Sequence, residues 1–377
     1  MYKEINKYFL TLLVIISLLI TQACSNPKVS GSNTNESTAA AQKENDQETV
    51  TITIGYQSPT AQTWGALIIK NQKLYEKYLK QLHPDKNFKI EWFDAPAGSV
   101  LNNNMVGGKI QISFLGDMPS LLNGVMGITQ KNYRSVFIAF DGKGKNGRNQ
   151  AILVPKGSDI KDVKDLEGKT VSTPIGSSAH RMLLDALEQN NMVDKVKIID
   201  QSVTLGMQSI EQNKIAAHSS WEPYPSLITK KDIGNVLLSG EETNRDYLAG
   251  VVANRDWAEK NKSYVVAFLA ALSEAHQLVL DDPEKAAKIF AEESKFPLDI
   301  TLKMAKNIRF DSAIYQKDLD TLSSSVDFLI RIDKLKEKLN LDEFVDDTYL
   351  REAVELLGKN YLDNKELKGD WSKEKVY

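Results

Sequence analysis

The sequence predicts an α/β protein of two lobes with a helical C-terminal region. Three observations carry this. Short β-branched runs alternate with amphipathic segments from Val50 to Ala253, the pattern of βα units with right-handed crossovers and a mainly parallel sheet. The alternation breaks once, at the Gly- and Lys-rich stretch Asp141-Gly142-Lys143-Gly144-Lys145-Asn146-Gly147. After Ala253 the pattern is helical almost to the last residue. Two βα series, with a strand returning after the second, make the first lobe discontinuous. It takes residues 50–143 plus 247–360 and encloses a second lobe at 144–246; residues 361–377 read as a charged tail, frayed from Lys365.

The 377 residues and 42% hydrophobic content suffice for two domain-sized cores. Forty-seven basic against 50 acidic residues give a formal net charge of −3. The basic residues are spread along the chain, so charge gives no case for nucleic-acid binding.

The N-terminal 23 residues read as a signal peptide. Lys3 and Lys7 precede the apolar run from Tyr8 to Ile20. This is shorter than the ~20 residues of a comfortable membrane span and fits a secretory h-region. Thr21-Gln22-Ala23-Cys24 follows, and Cys24 is the only cysteine. The stretch looks like a bacterial lipobox in which Cys24 is lipidated, although Thr21 departs from the usual aliphatic residue. With one cysteine no internal disulfide forms, so the mature fold rests on its core. Residues 24–49 are Ser-, Asn-, Thr- and Gln-rich and bury little. As a flexible tether they would reach ~25–30 Å.

The elements follow in order. Val50–Tyr56 alternates as a strand and ends in a turn at Gln57-Ser58-Pro59. Trp64 to Leu82 reads as one helix and Phe88–Phe93 as a strand. The turn Asp94–Ser99 opens a helix from Val100 to Val106. Ile110–Leu115 is a strand closed by Gly116-Asp117-Met118-Pro119, and Val136–Phe140 is a fourth strand. The Gly/Lys stretch that follows lacks the spacing of a phosphate loop and reads as a loop near a domain boundary. The second series holds Gln150–Val154, Lys169–Ser172, Lys195–Ile199, Ile215–Ser219 and Asn235–Leu238. Leu248–Ala253 returns, and helices are expected at Tyr264–Leu280, Glu284–Glu293, Gln316–Ile332 and Thr348–Leu357.

One stretch stands out. In Thr173-Pro174-Ile175-Gly176-Ser177-Ser178-Ala179-His180 a strand meets a small-residue turn and an amphipathic helix. Ala179, Met182, Leu183, Ala186 and Leu187 mark one buried helix face. Ser177 or Ser178 can cap this helix, and its free N–H groups and positive dipole end make an anion site. Arg181 in the first turn opposes that dipole. Either a bound anion relieves the conflict, or Arg181 pairs with Asp185 at i+4.

Taken together, Ile54-Gly55-Tyr56-Gln57, the Gly98-Ser99 turn, Gly107 through Pro119, Asp165–Lys169, Gly176–His180 and Trp221-Glu222-Pro223 resemble a known family. They match, in order and spacing, the solute-binding proteins of ABC importers for alkanesulfonate, taurine and nitrate, and the related proteins for the thiamine pyrimidine precursor. The resemblance covers about 200 residues. One departure is Ile215-Ala216-Ala217, where the family usually shows Ile-Asp-Ala. The resemblance implies a type II periplasmic-binding-protein fold, with two lobes closing by hinge bending on a small solute. It also implies a permease partner, an extracytoplasmic place on a lipid anchor in the outer leaflet of a Gram-positive-like membrane, no cofactor, and a monomer.

Strand-end turns are where open α/β sheets bind ligands. The candidate ligand-binding residues are therefore Gln57, Gly98, Ser99, Gly116, Asp117, Gly176, Ser177 and Ser178. Trp64 and Trp221 are candidate flat walls, and His180 a candidate donor. A carboxylate at Asp117 or Glu222 repels a bare anion and welcomes an amine or a heteroaromatic N–H. The ligand is then sulfonate-, taurine- or nitrate-like, a zwitterion, or a polar heterocycle; a pyrimidine-precursor or aromatic-compound receptor is the alternative. The remaining rival is an enzyme or sensor reusing the lobes. His83, His180, His218 and His276 show no metal-ligand spacing, no Gly-x-Ser-x-Gly elbow occurs, and no cysteine lies in the mature body. No catalytic residue and no metal ligand is assigned. His218, within a strand, reads as a core residue.

Overall fold

The structure is a computed structural model, and it describes residues 49–371 except 334 and 337. The signal peptide, Cys24 and almost all of the tether lie outside the described residues, as do residues 372–377.

Eleven strands can be numbered in chain order: β1 Thr49–Tyr56, β2 Asn87–Asp94, β3 Ile112–Gly116, β4 Ser135–Gly144, β5 Gln150–Pro155, β6 Thr170–Thr173, β7 Lys197–Asp200, β8 Ala217–Trp221, β9 Gly234–Ser239, β10 Tyr247–Asn254 and β11 Arg309–Phe310. They form two sheets, β11-β4-β10-β3-β1-β2 and β7-β6-β8-β5-β9. The expectation of mainly parallel sheets needs correcting. β1 pairs in parallel with β2 and β3, but β10 is antiparallel to β3 and β4. In the second sheet β6 is parallel to β7 and β8, and β5 is antiparallel to β8 and β9. The antiparallel strands β5 and β10 each follow a chain crossing between the sheets, and this sets their direction.

β4 runs four residues past the expected end, so Asp141–Gly144 is strand and not loop. Partners on both sides explain it: Leu248 and Arg309 both stand opposite Lys143. The polar side chains here are buried because each has a built partner. Lys143 Nζ lies 2.7 Å from Asp318 Oδ2, both side chains fully buried, and donates to the Ala313 carbonyl at 2.7 Å. Asp141 accepts from His276 Nε2 at 2.7 Å and from the Gly65 N–H at 3.2 Å. Ser312 Oγ is 3.3 Å from His276 Nδ1. This Ser–His–Asp row is buried throughout and braces β4 to the helices.

The long helix from Trp64 divides at Lys73, whose φ is 50°, into Gly65–Gln72 and Leu74–Leu82. A left-handed residue ends one helix and starts the next. Helix Lys262–Asp281 is apolar enough to cross a membrane by length and composition, yet it lies in the first core, with Phe268 edge-on to Tyr75 and Phe114. Helix Leu298–Asn307, absent from the expectations, starts after Pro297. The expected frayed tail also needs correcting. Asn364–Lys368 is a capped helical turn, and Trp371 donates from Nε1 to Asp318 at 2.9 Å. The indole also lies 3.8 Å from the Lys317 ammonium.

Candidate functional site

A cavity of about 150 Å³ lies where turns from both sheets meet. Three helices begin at it: Gly98–Val106, Asp117–Thr129 and Ser178–Gln189. Each follows a strand end, and first-turn N–H groups have no partner within their own helix. Ser177 caps the third helix, accepting from the His180 N–H at 3.2 Å and donating to the Pro174 carbonyl at 2.6 Å. Gly176 makes the turn possible with φ of +80°. At Gly116 a Cβ would stand 3.1 Å from Ser178 Oγ, so a bare backbone lets the two lobes approach.

Of the sequence-predicted residues, Gln57, Gly98, Ser99, Gly116, Gly176, Ser177, Ser178 and Trp221 line this cavity. The structure brings these eight together from turns up to 164 positions apart in the chain (221 − 57). Trp221 presents its ring only, because its indole N–H donates to the Pro59 carbonyl at 3.1 Å.

Four predicted residues are placed elsewhere. Trp64 is not a cleft wall: it is fully buried, 5.1 Å from the Phe290 ring centroid, with its N–H on the Ser58 carbonyl at 2.9 Å. Glu222 turns from the cavity, accepting from Ser226 N and Oγ at 3.1 and 2.7 Å, with Lys303 at 3.4 Å. It is engaged by the first turn of helix Tyr224–Lys230, so its charge does not select the ligand. His180 accepts from the Gly176 N–H at 3.3 Å and stabilises the turn instead of lining the cavity. Asp117 sits just behind the wall, accepting from Ser178 Oγ across the lobes and from the Met118 N–H. Burial raises its pKa above the usual carboxylate value, against the lowering effect of Arg181.

Of its two expected ends, Arg181 meets the i+4 pairing with Asp185, at the long end of an ion-pair distance. It is buried in the seam between the lobes, with Nη2 donating to Ser324 Oγ at 3.1 Å and the guanidinium 5.5 Å from the Phe328 ring. Its Nε is 3.7 Å from Asp185, whose closer partner is Arg245 at 2.9 Å. Burial pushes the Arg181 pKa down to about 10.

No Asp, Glu, Lys, Arg or His stands among the lining residues. One end of the cavity is polar, at the three helix N-termini. Apolar side chains line the cavity too: Pro119, Leu122 and Met126 run along one face of helix Asp117–Thr129, away from its N-terminus, and Pro174 and Ile175 precede the Gly176 turn. From residue 119 to 126 this strip is about 10 Å long at 1.5 Å per residue. Thr60, Asn102, Asn103 and Tyr247 also line the cavity and were missed by sequence reasoning. The helical spacing of 119, 122 and 126 was a usable signal; nothing local marks Thr60 or Tyr247.

A larger cavity of about 600 Å³ lies beside the chain crossings. Four of its basic residues are already paired: Lys143 with Asp318, Lys145 with Asp370, Arg148 with Glu241, and Arg309 with Asp311. Among the described residues no group of three His, Cys, Asp or Glu side chains could hold a metal.

Residues 146–286 match the family described as NMT1/THI5 like. The chain is 26% identical over 81% of its length to a Bacillus subtilis protein named for binding aliphatic sulfonates, of which it covers 88%. It is 29% identical over 70% of its length to an Escherichia coli protein of the same designation, of which it covers 77%. Among solved structures it resembles the alkanesulfonate-binding protein SsuA of Xanthomonas axonopodis pv. citri bound to MOPS. The TM-score is 0.67 at 21% identity, covering 79% of this chain and 98% of that one. The desulfurization enzyme DszB shares the fold at a TM-score of 0.61 and 13% identity, covering 82% of this chain and 99% of that one. The fold is therefore one shared with these solved structures: two α/β lobes, each built on its own sheet.

Proposed function

We propose that this chain, a relative of the aliphatic sulfonate-binding proteins, is the extracytoplasmic solute receptor of an ABC importer. It captures a small organic sulfonate between its lobes and delivers it to the permease, held to the membrane by a lipid on Cys24. The lobes are those read from the sequence, 50–143 plus 247–360 and 144–246, with the crossings between them as the hinge.

The observation that carries the reading is the convergence of three helix N-termini from both lobes on one uncharged cavity. Aligned N–H dipoles stabilise an anionic head without a counter-ion. The apolar strip along Pro119, Leu122 and Met126 suits a carbon stem, which favours an alkyl or aryl sulfonate over nitrate. With Glu222 engaged by Ser226 and Lys303, only Asp117 remains to favour an amine, and Ser178 already occupies it. This weakens the case for a zwitterion such as taurine. The protein acts without chemical turnover in this reading: no nucleophile–base pair is among the residues lining the cavity.

The test is a thermal-shift panel on the purified full-length chain with alkanesulfonates, taurine, nitrate, pyrimidines and aromatic acids. A ligand at a hundredfold its Kd stabilises the fold by ~2.7 kcal/mol. A shift confined to the sulfonates is expected. No shift with any solute, together with turnover of one, overturns the receptor reading.

A further inference from the structure

Several polar side chains around the cavity are already engaged. Ser177 bonds the Pro174 carbonyl, Ser178 the Asp117 carboxylate, Asn102 the Pro119 carbonyl, and Trp221 the Pro59 carbonyl. Two further hydroxyls belong to Thr60 and Tyr247. Thr60 is 3% exposed, and its Oγ1, buried at the cavity wall, has no hydrogen-bond partner among the described residues. Tyr247 is 2% exposed, packs with Trp221, Tyr224 and Ala179, and lines the same cavity. A buried hydroxyl without a partner is costly, so such groups usually have a function.

The two are held by the same small structure. Thr60 precedes the turn Ala61–Thr63, and its carbonyl accepts from Thr63 N and Oγ1 at 3.0 and 2.9 Å. Gln62 in that turn donates to the Tyr247 carbonyl at 3.2 Å. The Ala61 N–H donates to the Glu222 carbonyl of the other lobe at 3.0 Å. Thr60 belongs to the turn after β1, and Tyr247 opens the strand that returns from the second lobe. Both hydroxyls are thus positioned by backbone contacts that do not involve the hydroxyls themselves.

We propose that Thr60 and Tyr247 are ligand-contacting hydroxyls that, with the Gln57 amide, hold the oxygen head of the solute in a cage of uncharged donors. This rests on the solute-receptor reading above and extends it to selectivity. A sulfonate is a single, permanent negative charge spread over three weakly basic oxygens, which neutral donors can satisfy. A carboxylate of the same stem has two oxygens and leaves a buried donor unpaired. A phosphonate carries a second charge near pH 8, which would face Asp117 with no cation among the lining residues to offset it. Burial and the nearby Asp117 hold the Tyr247 phenol well above its ordinary pKa, so it is a proton donor at any working pH.

The experiment is calorimetric titration of hexane-1-sulfonate, hexanoate and hexylphosphonate at pH 8 into the full-length chain and its Thr60→Val and Tyr247→Phe variants. Thr60→Val removes a hydroxyl that bonds no described residue, so the ligand-free melting temperature of that variant should hold or rise; the melting temperature of Tyr247→Phe is read alongside it. The wild type is expected to bind the sulfonate at least tenfold more tightly than either analogue, and each variant to weaken the sulfonate by five- to fiftyfold. If the sulfonate binds wild type and both variants within twofold, the cage is overturned while the receptor reading stands. If the wild type binds none of the three, the receptor reading for sulfonates is overturned and the cage with it.

Discussion

The indole N–H of Trp221 donates to the Pro59 carbonyl at 3.1 Å, so a wall residue from one lobe is pinned to the strand-end turn of the other. The bond fixes the ring as an apolar surface and spends its only polar handle on lobe closure. The two candidate tryptophans therefore part company. Trp221→Ala should lose ligand affinity by at least tenfold in calorimetry while the chain still folds. Trp64→Ala should cost about 3–5 kcal/mol in denaturant unfolding, as for other buried aromatics. Ligand affinity in the folded fraction should be unchanged. The reverse pattern would exchange their roles.

Asp117 lies behind the polar end of the cavity and accepts from Ser178 across the lobes. At an effective dielectric constant of ~20, a carboxylate about 10 Å from an anion repels it by about 1–2 kcal/mol. Asp117→Asn keeps an acceptor for Ser178 and removes the charge. It should tighten a sulfonate by about tenfold, read by calorimetry at low salt. Unchanged affinity would show that this charge does not reach the ligand.

The buried pair Lys143–Asp318 ties β4 to the C-terminal helices. Lys143→Met leaves Asp318 uncompensated in the interior and should cost about 3–5 kcal/mol by urea unfolding. Asp318→Leu made together with it should restore much of that loss, because the cost comes from the orphaned charge. Equal losses in single and double variants would contradict this.

His218 is fully buried between Ser172 and the helix above it, and burial pushes its pKa down to about 4. The folded chain holds it neutral, whereas the unfolded chain protonates it near pH 6.5. Its contribution is complete above pH 6.5 and is lost as pH falls toward 4, because the unfolded state then binds the extra proton. The loss amounts to roughly 3 kcal/mol over that window. His218→Gln should flatten the stability profile there; an identical slope in wild type and variant would remove His218 as its cause.

The parts of the site that lie at strand ends were legible. Gly98-Ser99, Gly116 and Gly176-Ser177-Ser178 announce themselves because a small-residue turn before an amphipathic helix has few other uses. The rest depends on distance along the chain. Whether Trp64 faces the cleft or the core is decided by Ser58, Phe290 and Phe296 together, and no window of sequence contains all of them. Asp141–Gly144 looked like a loop because its glycines and lysine are poor strand formers. Lys143 is stabilised in the strand by Asp318, 175 residues later. Tyr247 enters the cavity only because β10 crosses back from the second lobe, a topological fact with no local signature.

The central claim is that one organic anion binds in the cleft between the lobes. Gly116 offers the most direct test, since a side chain there would press on Ser178 across the cleft. Hexane-1-sulfonate is titrated calorimetrically into wild type and into Gly116→Leu, with circular dichroism to confirm that both fold. One site per chain is expected in wild type, and no measurable binding in Gly116→Leu. Binding retained in Gly116→Leu with unchanged affinity would contradict the claim.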